Sequence, residues 1–323
     1  MSRILLLSLL AYTLAAPLFA ADEAPPLPPN SLWIESGQIK WNGPDLLVPP
    51  EMSEAKLVTL LFPVGVGKVV WIEETRMNNE VQTTFRLNLA DLKQGTSRRL
   101  LDSPEPLGGD TPIHIEAANL KEDGSALLVR FRLSGSGYFS EVWQITLADK
   151  PQTSLLEDVT VWDSQSGDGS VKAAASWGIV ADESRTRQES GDRRYGVLIL
   201  STPGHPEGQP SWKAWARNEI QPWQDRYLTS VAVAPDGSRV AYINPRGLWL
   251  YKVTGGDPSR RLELVPGKDL SFEGVVFAPD GAGLYLTLRR DPEGPPAIYY
   301  LPVDAGGPRL VKEGAEGLCL PRM

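Results

Sequence analysis

The chain has 323 residues, with 32 Lys and Arg against 40 Asp and Glu, a formal net charge of −8. It therefore lacks the basic field that a nucleic-acid partner or an anionic membrane surface requires. Cys319 is the only cysteine, which excludes an intramolecular disulfide, and His114 and His205 are too few for a three-histidine metal centre.

The first 21 residues read as a secretory signal peptide. Arg3 supplies the positive start, residues 4–14 an apolar run, and residues 15–21 a stretch of small residues. The run is shorter than the ~20 residues of a membrane span. No cysteine follows it to accept a lipid, so the expectation is a chain exported across the inner membrane, periplasmic and not a lipoprotein, with no membrane span after cleavage. Residues 22–30 carry four prolines and read as an extended, disordered lead-in. A single domain over residues 31–323 follows.

Thirty glycines and 28 prolines, with no helical periodicity longer than two turns, point to an all-β fold. Residues 32–34, 39–41 and 46–48 are three short apolar pieces, read as the last three strands of a unit that lacks its first. Full units follow over 56–101, 113–156, 159–215, 228–265 and 272–311. Each opens with a strand, a Gly-containing turn and a second strand. The segment 317–321 is apolar and has no hairpin partner of its own, which makes it the donor of the missing strand.

The two clearest copies are Val231-Ala232-Val233-Ala234-Pro235-Asp236-Gly237 and Val275-Val276-Phe277-Ala278-Pro279-Asp280-Gly281, 44 residues apart. Pro presets φ, Asp bonds its own backbone and Gly tolerates φ > 0, so each is a hairpin turn. A hairpin repeating at this spacing marks a propeller blade. The expected fold is an all-β, six-bladed β-propeller closed by a C-terminal strand completing the N-terminal blade. Seven blades is the alternative if 214–227 holds further strands. The turns at Gly67, Gly124 and Gly169 read as degenerate copies.

With those Pro-Asp-Gly turns in place, the chain resembles the TolB-like β-propeller family. The resemblance covers most of the chain after residue 30 and implies the propeller fold. The type member of that family also carries an α/β domain before its propeller. Here about ten residues lie between the signal peptide and the first strand, so functions resting on that domain are not implied.

Catalytic motifs are scarce. No Gly-x-Ser-x-Gly elbow is present. Residues 163–169 place Asp168 at the sixth position and Ala174 at the twelfth, where a calcium loop needs Gly and Glu. No metal and no cofactor is expected. His114, Glu116, Asp163 and Glu273 fall on or near inner strands, where they face a channel if the blades close.

Loop length is asymmetric. The connections 75–83, 134–139, 182–194 and 289–296, with the inter-blade segments 102–112 and 202–227, emerge on one face. The other face has tight turns. Binding residues concentrate on loops held by a rigid scaffold. The long-loop face carries Arg76, Tyr138, Phe139, Arg185, Arg187, Arg193, Arg194, Trp212, Trp215, Trp223, Tyr227, Arg289 and Arg290 as candidate anchors. The expected role is a binding module for a protein or peptide of the cell envelope. The alternatives are a channel-type lyase, lactonase or glycosidase using inner-strand carboxylates, and a small-solute sensor.

Overall fold

The computed structural model describes residues 24–76, 83–102, 112–133, 140–156, 159–179, 194–202, 211–213, 230–244, 247–253, 260–262, 271–290, 294–304 and 306–322. The expected signal peptide lies outside them.

Among the described residues, six antiparallel sheets follow one another. The first holds β1 (Leu32–Glu35) and β2 (Gln38–Trp41), followed by a one-turn helix α1 (Pro50–Ser53). The second is β3 (Val58–Gly65), β4 (Lys68–Arg76), β5 (Thr83–Asp91) and β6 (Thr96–Asp102). The third is β7 (Pro112–Leu120), β8 (Ala126–Leu133), β9 (Ser140–Thr146) and β10 (Thr153–Leu156). The fourth is β11 (Ser164–Gln165), β12 (Lys172–Ile179), β13 (Arg194–Ser201) and β14 (Ser211–Lys213). The fifth is β15 (Ser230–Val233), β16 (Arg239–Asn244), β17 (Gly247–Lys252) and β18 (Arg260–Leu262). The sixth is β19 (Ser271–Phe277), β20 (Gly283–Arg289), β21 (Ala297–Pro302) and β22 (Arg309–Glu313). The last strand, β23 (Ala315–Cys319), returns to the first sheet and pairs with β1, Leu32 opposite Cys319 and Glu35 opposite Ala315.

Each four-stranded sheet is an up-and-down meander whose strands pair in chain order. The first strands pack against one another in series: β23 on β3, β3 on β7, β11 on β15, β15 on β19 and β19 on β23. Asn119 of β7 joins the third sheet to the fourth by donating to the Trp162 carbonyl at 2.6 Å. This is the radial arrangement of a β-propeller.

The apolar residues of alternating strands fill the wedges between sheets. Leu32, Met52, Trp71 and Leu92 lie between the first and second, and Leu87, Ile115, Leu127 and Phe131 between the second and third. Val171, Leu200, Tyr242 and Tyr251 lie between the fourth and fifth, and Ile243, Phe277, Leu286 and Leu301 between the fifth and sixth. Trp33, Tyr285, Ile298 and Leu318 close the series from the sixth to the first. Trp33, Trp71 and Trp143 each satisfy the indole N–H on a glutamate two residues away, Glu35, Glu73 and Glu141, on the same sheet face.

One local device recurs at four hairpins. Asp236 Oδ1 accepts from both the amide and the hydroxyl of Ser238 at 2.9 and 2.7 Å. Asp123 does the same with Ser125, Asp168 with Ser170, and Asp280 with the amide of Ala282. The intervening glycines sit at φ +71°, +68°, +74° and +72°. The turns at Gly124 and Gly169 are thus full copies and not degenerate ones. The Asp-Gly step closes the turn and the preceding proline is dispensable.

Two expectations are corrected. Residues 46–48 form no strand. Pro44, Pro49 and Pro50 flank them and supply no N–H for a ladder. Leu46 instead packs beside Met52 of α1, and the Leu47 amide donates to the Leu92 carbonyl at 2.9 Å. Of the lead-in, residues 24–30 are extended but docked, where disorder was expected. The Tyr285 hydroxyl donates to the Pro26 carbonyl at 2.9 Å, Asn42 Nδ2 to the Leu27 carbonyl at 3.2 Å, and Leu27 packs on the Trp33–Tyr285 cluster.

Candidate functional site

The first strands surround a central cavity of about 2310 Å³. Its walls are set by the period-2 alternation of those strands, with apolar residues turned into the wedges and the others toward the axis.

Three first strands carry the same irregularity. β3 skips one residue between Val58 and Leu60, β7 between Ile115 and Ala117, and β19 between Phe272 and Gly274. A β-bulge takes one residue out of the ladder register and re-aims its side chain. The residues skipped at these three places are Thr59, Glu116 and Glu273, and all three line the cavity.

Both bulged glutamates meet an arginine from the second strand of their own sheet. Arg130 Nε donates to Glu116 at 3.2 Å, Nη1 to the Val161 carbonyl at 3.2 Å, and Nη2 to both oxygens of Asp163 at 3.0 and 3.3 Å. Asp163 lies at the start of the fourth sheet and also accepts from the Ala175 amide at 2.5 Å. In the sixth sheet, Arg289 Nε donates to Glu273, Nη1 to the Gly294 carbonyl at 2.8 Å, and Nη2 to Glu316 of β23 at 3.1 Å. Each guanidinium therefore gathers a carboxylate of its own sheet and one of the next. Charge-assisted forks of this kind fix both partners in orientation.

The two clusters differ in depth. The Arg130 and Glu116 side chains are 9% and 8% exposed, whereas Arg289, Glu273 and Glu316 are 26%, 32% and 31% exposed. Burial pushes the Asp163 carboxyl above the usual range, against Arg130 and the Ala175 amide. Burial and the neighbouring Glu273 push the Glu316 carboxyl up, against Arg289. Four of the carboxylates on the cavity wall thus stand in two pairs, each pair sharing one cation. Among the described residues, no group of three or more His, Cys, Asp or Glu converges as a metal cage.

At the tight-turn end, residues beyond β23 lie across the cavity. Arg322 pairs with Val66 in a parallel bridge, and its carbonyl accepts from the Gly67 amide. Its guanidinium donates to the carbonyls of Gln165, at 3.0 Å, and Ser166.

The residues expected from sequence are distributed as follows. Glu116, Asp163 and Glu273 line the cavity, and Arg289 joins them. Arg290 stands outside the cluster, its guanidinium 5.4 Å from the Tyr299 ring centre. His114 is a β7 residue opposite Arg132, Arg76 ends β4 opposite Thr83, Arg194 opens β13 opposite Ile179, and Trp212 lies in β14 opposite Ile199. Tyr138, Phe139, Arg185, Arg187, Arg193, Trp215, Trp223 and Tyr227 lie outside the described residues.

Sequence reasoning missed Arg130, Glu316 and Arg322. The signal for Arg130 was present. β8 reads Leu127, Val129, Phe131 on one face, so the opposite face of a central strand carries Arg130. A buried arginine there requires acidic partners.

No family model and no curated protein matches the chain. Among solved structures, a protein of Agrobacterium tumefaciens assigned as TolB is 11% identical, covering 89% of this chain and 91% of its own, with a TM-score of 0.47. A prolyl endopeptidase is 14% identical over 83% of this chain with a TM-score of 0.44, and the present chain spans 37% of its length. The β-propeller domain of the Trilobed protease from Pyrococcus furiosus is 12% identical, covering 80% of this chain and 69% of its own, with a TM-score of 0.39.

Proposed function

We propose that the chain is an exported, periplasmic binding module: a six-bladed, TolB-like propeller, closed by β23 completing the N-terminal blade, that receives a protein or peptide of the cell envelope. The partner docks on the face of the long connections and reaches the cavity from there. The observation that carries this reading is the cavity. Its roughly 2310 Å³ exceeds the ~300–1,000 Å³ of ordinary small-molecule pockets, which favours a chain segment over a single small solute. Its wall offers paired carboxylates to basic groups of such a segment, and Arg289 and Arg290 stand at the end of β20 toward the long connections.

The test is capture from the native envelope, followed by titration of the identified partner. Replacing Arg193, Arg194 and Trp223 together is expected to abolish capture with little change in Tm. Undiminished binding by that variant would remove these residues from the site.

A second reading, a channel-type lyase, lactonase or glycosidase, has one observation in its favour. Asp163 and Glu316 are both shifted toward the protonated form on the cavity wall, as acid–base groups often are. Turnover of a glycoside, uronide or lactone panel that disappears in Glu273→Gln would favour it over the binding role.

A further inference from the structure

The segment that follows β23 lies where a channel would otherwise open. β23 ends at Cys319 in the first sheet. Three residues later, Arg322 contacts the β3–β4 turn of the second sheet and the β11–β12 turn of the fourth. In the series of sheets the first and the fourth have two sheets between them, so the segment runs over the axis and not around the rim. Pro321 and Arg322 line the cavity, as do Val66, Gln165 and Gly167 from the turns they meet.

The contacts are of three independent kinds. The backbone of Arg322 bridges Val66 and takes the Gly67 amide, whose own turn bears no aspartate to close it. The guanidinium caps the Gln165 and Ser166 carbonyls, and Asp168 of the same turn attracts its charge. Pro321 is buried and restricts the chain between Leu320 and Arg322. Leu320 packs with the wedge cluster between the sixth and first sheets.

We infer that residues 320–322 form a strap that shuts the tight-turn mouth of the central cavity, held down by Arg322. A ligand then reaches the cavity from the opposite face, and release of Arg322 opens a second way in beside Cys319. The inference is independent of what the cavity binds.

Cys319 makes the strap measurable. It is the only cysteine, it is 1% exposed, and it lines the cavity just before the strap. The experiment follows alkylation of Cys319 by N-ethylmaleimide in the folded full-length protein, together with amide exchange at Gly67. Arg322→Ala removes charged hydrogen bonds to two carbonyls, which is expected to raise the open population, and with it the labelling rate, by roughly tenfold or more. The Gly67 amide is expected to exchange faster while the Leu92 amide, which donates to the Gly67 carbonyl, keeps its protection. If Arg322→Ala does not fold, Arg322→Lys, which keeps the charge and loses the fork, serves in its place. Labelling and Gly67 exchange at the wild-type rate in a folded variant overturn the strap. A rise in labelling that only tracks global unfolding in urea overturns it equally.

Discussion

Arg130 and Arg289 stand two residues apart in the registers of their sheets, yet each gathers a bulged glutamate and an acid of the next sheet. Arg130 pairs with Ala117, the residue after the bulge at Glu116; Arg289 pairs with Ser271, two residues before the bulge at Glu273. The offset puts Arg289 nearer the long-connection end of its strand and leaves it more exposed. Equal contacts therefore have unequal consequences. Arg130→Leu removes the cation that Glu116 and Asp163 share in a buried site and is expected to cost about 3–5 kcal/mol. Arg289→Leu acts on a partly solvated cluster, and about 0–1 kcal/mol is expected. Restoring neutrality with Glu116→Gln and Asp163→Asn is expected to recover most of the Arg130→Leu loss. Urea midpoints followed by tryptophan fluorescence decide this; equal losses for the two arginines would refute the depth argument.

The fold was legible because its determinants are local. Period-2 alternation and Asp-Gly turns act within ten residues, so β15–β16 and β19–β20 are written in the chain at Pro235-Asp236-Gly237 and Pro279-Asp280-Gly281. Residues 46–48 are apolar enough for a strand, but the flanking prolines remove the N–H groups a ladder needs. The candidate site was only half legible. Glu116 and Glu273 follow from their place on inner strands, but no residue type marks the bulges that aim them. The return of β23 to the first sheet is expected from the unpaired 317–321 segment, but nothing in the sequence shows that it brings Glu316, one residue earlier, to Arg289 of the neighbouring sheet.

Turn glycines offer a graded test. Gly237 and Gly124 share a left-handed φ, near +71° and +68°, which costs an L-residue ~1–2 kcal/mol. Their surroundings differ. A Cβ at Gly237 would meet Val171 Cγ2 at 2.9 Å, whereas one at Gly124 meets nothing within 4 Å. Gly237→Ala is expected to lower the denaturation midpoint more than Gly124→Ala. The reverse order would mean that the fourth and fifth sheets yield at that contact.

Asp168 ties the fourth-sheet turn to acid stability. Hydrogen bonds from Ser166 and then Ser170 hold its carboxyl down to about 2, below the ordinary 3.8. A depressed folded value means that this contribution is present above pH 3.8 and is lost as pH falls toward 2. Asp168→Asn is expected to flatten that part of the acid limb, measured as unfolding midpoints between pH 5 and pH 2. An unchanged limb would assign the acid sensitivity to other carboxylates.

Tyr285 supplies the alkaline counterpart. Its ring is buried against Tyr300 at 5.3 Å, and its hydroxyl donates to the Pro26 carbonyl. Burial first, then the charges that Tyr300 and Asp280 carry at high pH, push its ionisation up to about 12 from the ordinary 10. The folded state thus holds this proton more tightly than the unfolded state. Its stabilising effect is complete below pH 10 and is lost as pH rises from 10 through 12. The phenolate cannot donate to Pro26, so residues 24–30 should lose one of their anchors in the same window. Tyr285→Phe removes the bond at every pH, costing about 0.5–1.5 kcal/mol at pH 8, and should remove this alkaline loss. Guanidine midpoints at pH 8 and pH 11 for both proteins, with a 295 nm titration of the nine tyrosines, give the answer. If the latest-titrating tyrosine persists in Tyr285→Phe, the raised ionisation does not belong to Tyr285; if the alkaline loss persists, it does not come from this hydroxyl.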